Sequence, residues 1–145
     1  MPRLTLAALP AYDFACTLVV RTTDLNYGGH LGNDRLLALV QEARVAFLAA
    51  RGLSELDAGG PSLIMADAAV VYQGEAFAGD LLRFEVAARE PGRVGFRLFT
   101  RVTRPADGGA IALAETGMVC FDYKQRRPQP LSAALRALCT PPADG

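Results

Sequence analysis

A chain of 145 residues, 51% of them hydrophobic and 21% charged, suits one domain with a substantial core and is neither disordered nor fibrous in composition. Acidic and basic side chains cancel at 15 each, which argues against a nucleic-acid or acidic-membrane partner recognised by net charge. No apolar run is long enough to span a bilayer, and the short N-terminal run is interrupted by proline, so the expectation is a soluble, cytoplasmic protein.

The three cysteines, Cys16, Cys120 and Cys139, lie too far apart for a zinc site and read as reduced thiols. Phe14 to Arg21 (FACTLVVR) is β-rich and predicts a first strand. Thr22 to Gly32 is a loop with three glycines. From Asn33 to Arg51, Leu36, Leu37, Val40, Ala43, Phe47 and Leu48 recur at helical spacing and predict one long helix with a wide apolar stripe. Asn33 or Asp34 is placed to cap its start, and Gly52 to close its end. Ser54 with Asp57 predicts a brief helical turn.

The remainder is mostly strand. The run PSLIMADAAVVYQG is almost continuously apolar and predicts a central strand buried on both faces. Ala78-Gly79-Asp80 is a turn. Leu82, Phe84, Val86 and Ala88 then alternate with Arg83, Glu85 and Arg89. Pro91-Gly92 turns the chain into a strand of Val94, Phe96, Leu98, Thr100 and Val102. RPADGG is a further hairpin loop, Ala110 to Tyr123 the last long strand, and Leu131 to Leu138 a short closing helix (reaching about residue 139). Hairpin-linked strands pair antiparallel, and a sheet must curl round a single amphipathic helix to cover its stripe. The prediction is an α+β single domain over residues 1–145.

That order of elements, with DLNYGGHLGND leading into the helix and EAR within it, resembles the hot-dog fold, and within it the acyl-CoA thioesterases related to 4-hydroxybenzoyl-CoA thioesterase. The family pattern is roughly Asp-x-Asp-x-x-Gly-His-x-Asn-Asn followed by Glu-Ala-Arg. Asp24, Gly29, His30, Asn33 and Glu42-Ala43-Arg44 match it, and Gly79-Asp80 matches the end of the family's strand-turn-strand segment. The resemblance spans about residues 14 to 123. It implies a curved antiparallel sheet round one long central helix, hydrolysis of an acyl thioester, and a homodimer or dimer of dimers with sites between chains. The cofactor expectation is none beyond the coenzyme A of the substrate.

One departure matters. Asn26 stands where many relatives carry a second aspartate as base or nucleophile, and an amide accepts no proton from water near neutral pH. Gly32 also replaces the first of the paired asparagines. Thioester hydrolysis needs donors aimed at the carbonyl oxygen, and main-chain N–H groups at a helix start supply them. Glycines 28, 29 and 32 would let an acyl group approach that backbone. In this reading His30 and the loop amides bind the oxyanion, and Asn26 orients water or the carbonyl.

An acid elsewhere would be the base. Asp67, inside the most apolar strand, is the candidate through a raised pKa; the alternative is a place on the sheet's outer face or a subunit boundary. Asp24 is a catalytic candidate too, though holding the loop by accepting backbone N–H bonds is its favoured role. Tyr27, Gly28, Gly29 and Asn33 are expected to contact substrate. Arg97, Arg101, Arg104, Arg126 and Arg127 are candidate phosphate partners, unless they only solubilise an exposed face. Two other readings stand beside hydrolysis. An enoyl-CoA hydratase motif, Gly-Asp-x-Asn-Pro-x-His, resembles residues 23–30, but the spacing is one residue longer here and the proline is missing. A non-catalytic acyl-thioester binding module is the other.

Overall fold

The apolar stripe of the long helix sets the architecture. A computed structural model describes residues 1–141; residues 142–145 of the expected single domain lie outside the described residues. Strand β1 is Phe14–Val19 and helix α1 is Asn33–Ala49. Strands β2, β3, β4 and β5 are Ser62–Tyr72, Leu81–Arg89, Gly95–Arg104 and Gly109–Asp122. The two-residue strand β6 (Arg127–Pro128) and helix α2 (Ala133–Leu138) follow.

Every strand pair is antiparallel, in the order β1-β3-β4-β5-β2, with β6 beside β5. Leu36, Leu39, Val40, Ala43, Phe47 and Leu48 of α1 are buried in one cluster with Phe84, Val86, Phe96, Leu98, Val102 and Met118 from alternate positions of the sheet. Each large side chain buried this way stabilises the fold by roughly 1.5–3 kcal/mol. The sheet wraps the helix, and the α+β hot-dog architecture follows. Gly52 closes α1 as expected: at φ +73° it allows Leu53 N–H to reach back to Leu48 O at 2.9 Å.

Three local expectations are corrected. The Pro61–Gly74 run holds a strand at the sheet's edge, not its centre. β2 pairs only with β5, and residues from Met65 to Ala68 are exposed. An apolar run without alternation reports that polar faces are missing, and does not say whether a second neighbour is present. A register shift between Met65 and Asp67 leaves Ala66 as a bulge, a common device at edges. The N-cap of α1 is Gly32, with no side-chain cap; Asn33 Oδ1 accepts instead from Asp34 N–H at 2.8 Å. Ser54 and Asp57 form a bonded turn but no helix, with Ser54 Oγ accepting from Asp57 N–H at 3.0 Å.

Candidate active site

The loop between β1 and α1 is built by its own polar groups. Residues 22–24 form a single 3₁₀ turn. Asp24, 1% exposed, accepts from Arg21 N–H at 2.8 Å and from that residue's Nε and Nη2 at 3.1 Å each. These Arg21 contacts hold the Asp24 carboxyl below the usual carboxylate range despite its burial. The Asp24 carbonyl then takes Gly32 N–H at 2.9 Å, fixing the chain where α1 begins. Between these points the backbone doubles back. Asn26 N–H donates to His30 O at 2.9 Å, and Gly29 N–H to Asn26 O at 3.1 Å with Gly29 at φ +78°. Asn26 Oδ1 accepts Gly28 N–H at 2.9 Å, an Asx turn that leaves the side-chain amide nitrogen without a partner among the described residues.

A second loop, from Gln73 to Asp80, lies against this one because Leu31 N–H donates to Ala76 O at 2.8 Å. Between them opens a cleft of about 710 Å³, lined by Asn26, Tyr27, His30, Asn33, Tyr72 and Glu75 among others. Tyr72 Oη donates to Asn33 O at 2.8 Å; burial first, then the nearby Asp34 charge, push its phenol up. His30 Nδ1 lies 3.2 Å from Leu31 O. A carbonyl can only accept, so this contact assigns the proton of neutral His30 to Nδ1 and leaves Nε2 as an acceptor. Nε2 lies 3.9 Å from Glu75 Oε1. A Cβ on Gly28 would fall 3.1 Å from His30 Nε2 and 3.3 Å from Asn26 Oδ1, so glycine leaves those polar groups room to stand together.

The structure thus brings Asn26, Tyr27, His30 and Asn33 to one cleft and separates the rest. Gly28 and Gly29 shape the turn, but their N–H groups are spent on Asn26 and do not face a ligand. The N–H groups of His30 and Asn33, closer to the helix, have no acceptor among the described residues. The His30 side chain is not an oxyanion donor in its neutral form, because its proton is committed to Leu31. Asp24 is buried under Arg21 and holds the loop, so its catalytic assignment is withdrawn.

Asp67 is corrected as well. It sits five residues before Tyr72 on an extended strand, about 16 Å away at ~3.3 Å per residue. Its carboxylate, 56% exposed, pairs with Arg97 Nη2 at 2.7 Å. That guanidinium holds its pKa down, whereas the base role required a raised one. Arg97 also binds Glu115, Arg101 binds Glu85, and Arg104 binds Asp80 and Asp107, so these three arginines are engaged in ion pairs within the chain. Tyr72 and Glu75 are cleft residues that the sequence did not mark. The Leu31–Ala76 hydrogen bond places them, and no local pattern encodes that contact.

The sequence profile of the Thioesterase-like superfamily matches residues 20–138. A 1,4-dihydroxy-2-naphthoyl-CoA hydrolase of Synechococcus elongatus is 30% identical over 129 residues, covering 86% of this chain and 93% of that protein. In fold, the crystal structure of a 1,4-dihydroxy-2-naphthoyl-CoA thioesterase from Synechocystis superposes with a TM-score of 0.78 at 20% identity, over 87% of this chain and 94% of its own. A thioesterase from Thermus thermophilus, complexed with coenzyme A and Zn, gives a TM-score of 0.75 at 24% identity, over 89% and 98%.

Proposed function

The chain belongs to the thioesterase-like superfamily, and from that premise we propose that the cleft at the start of α1 hydrolyses an acyl-CoA thioester to the free acid and thiol. The carrying observation is the meeting, in one open cleft, of donors without partners and a histidine with a fixed tautomer. The thioester carbonyl oxygen is received by the Asn26 side-chain amide and the N–H groups of His30 and Asn33, at the positive end of the helix dipole. His30 Nε2 faces the reacting carbon as proton acceptor. Water is the only co-reactant, and coenzyme A enters as part of the substrate. Tyr27 and Tyr72 line the cleft, which favours an aromatic acyl group such as the one in the name of the 30% identical relative.

The same reading includes a homo-oligomer. β2 presents a free edge of 11 residues with Met65 and Tyr72 about half exposed, and an apolar edge of this length invites pairing with a second copy. Tyr72 belongs to that edge and to the cleft, so a partner paired there stands beside the site. No helix among the described residues is long and apolar enough to cross a membrane; a cytoplasmic location, where thiols stay reduced, is part of the proposal.

The test is thiol release from a panel of aryl- and alkyl-CoAs, with crotonyl-CoA hydration followed in parallel. The reading expects release that falls about 100-fold in Asn26→Ala and in His30→Ala. Hydration without release, or release untouched by both substitutions, would refute it. Sedimentation at micromolar concentration is expected to give a dimer or larger, and a monomer would count against the shared edge.

A further inference from the structure

An acceptor nitrogen and a carboxylate confront each other across the cleft, and neither is satisfied by the other. His30 Nε2 carries a lone pair in the tautomer fixed by Leu31 O, and Glu75 Oε1, 3.9 Å away, can also only accept when ionised. Two acceptors at that separation attract one molecule with two hydrogens to give. We propose that Glu75 is a catalytic residue of the hydrolysis: with His30 Nε2 it holds the attacking water by both hydrogens and stabilises the positive charge that His30 gains. This rests on the thioesterase reading of the cleft.

The arrangement leaves the water oxygen with its lone pairs free for the thioester carbon. As the C–O bond forms, one water proton passes to His30 Nε2, the carbonyl electrons move onto the oxygen held by Asn26 and the loop amides, and the ring becomes an imidazolium. Glu75, facing that ring, is the counter-charge. When the intermediate collapses the C–S bond breaks, and Nε2 returns its proton to the departing sulfur. The products are the free acid and the thiol, and both residues end as they began.

Among the described cleft residues, only Asp34 offers a second carboxylate. It lies in the first turn of α1, with Oδ1 2.8 Å from where a Gly32 Cβ would stand, on the helix side of the cleft. Glu75 comes from the opposing loop. That loop is braced by Arg104 Nη1 donating to the Glu75 carbonyl at 2.9 Å, and by Gly74 N–H on Ile111 O at 3.2 Å. Neither brace uses the Glu75 side chain, which is 65% exposed, so substitution there leaves the fold standing. Position 26 is an amide in this chain, and Glu75 supplies from across the cleft the negative charge that the amide lacks.

The experiment compares wild type, Glu75→Gln, Glu75→Asp and Glu75→Ala on the best acyl-CoA of the panel, with kcat and KM measured separately. The expected result is a fall of about 100-fold in kcat for Glu75→Gln with KM within about threefold. Partial activity is expected in Glu75→Asp, and partial recovery of Glu75→Ala by added formate, which a purely structural role would not give. Glu75→Gln at wild-type kcat, with His30→Ala inactive, would overturn the role of Glu75 and leave the thioesterase reading intact. Loss of activity without formate recovery, accompanied by a lowered Tm, would also overturn it in favour of loop support. A wild-type protein that releases no thiol from any acyl-CoA would remove the reading and this inference together.

Discussion

Asp24→Asn separates support of the loop from chemistry in it. The carboxylate receives three hydrogen bonds, all from Arg21, one through the backbone N–H and two through the guanidinium. The Arg21 side chain is 66% exposed, so its ion pair is screened by solvent and adds little. The backbone bond reaches a buried charged acceptor and contributes about 1.5–3 kcal/mol. An asparagine keeps one acceptor oxygen but turns an NH₂ toward a donor, so the net loss is about 2–3 kcal/mol. For a domain of this size each kcal/mol moves Tm by about 2–4 °C, which predicts a drop of about 4–12 °C.

Arg21 keeps the folded-state Asp24 pKa below its unfolded value, so the stabilisation is complete above about pH 4 and is lost as the pH falls through the folded value. Thermal unfolding of both proteins at pH 7 and pH 3 should therefore show a gap in Tm that narrows in acid. An Asp24→Asn protein with wild-type Tm at pH 7 and abolished turnover would refute the reasoning and return Asp24 to the catalytic group.

Three further substitutions follow from the geometry. In Gly74→Ala the new Cβ would meet Ala110 O at 2.5 Å, so the loop carrying Glu75 must shift; a stability loss of about 1–3 kcal/mol should accompany a larger, ~100-fold fall in kcat, read by thermal melts and turnover. Asp67→Asn removes an exposed, solvent-screened partner of Arg97, and should leave the melting temperature and the rate of thiol release at wild-type values. Arg44→Ala breaks the part-buried pair that Arg44 of α1 makes with Glu55, whose side chain stays 28% exposed, and should cost about 1–3 kcal/mol in denaturant unfolding.

Much of the fold was legible because its signals are local or periodic. The 3.6-residue stripe of α1, the alternation in β3 and β4, and the glycine turn at Gly79, with φ +88°, each specify their element within a few residues. The position of β2 was not legible, since edge and centre differ by a neighbour and not by composition. The site divided the same way. Asn26 and His30 stand on the loop their motif announced, whereas Asp67 was chosen on apolar surroundings in sequence that are not its surroundings in space. Arg97, thirty positions away, meets it instead. Glu75 faces His30 only because two distant loops share the Leu31–Ala76 bond.

A crystal structure with a non-hydrolysable thioether analogue of an aroyl-CoA that keeps the ketone oxygen (S–CH₂–CO–aryl) locates the reacting carbonyl. The expected result places the acyl oxygen about 2.7–3.1 Å from the Asn26 amide nitrogen or the N–H of His30 or Asn33, with the ring of His30 beside the acyl carbon. An acyl group bound outside this cleft, such as in the hollow between Tyr12, Arg51 and Leu138, would contradict it.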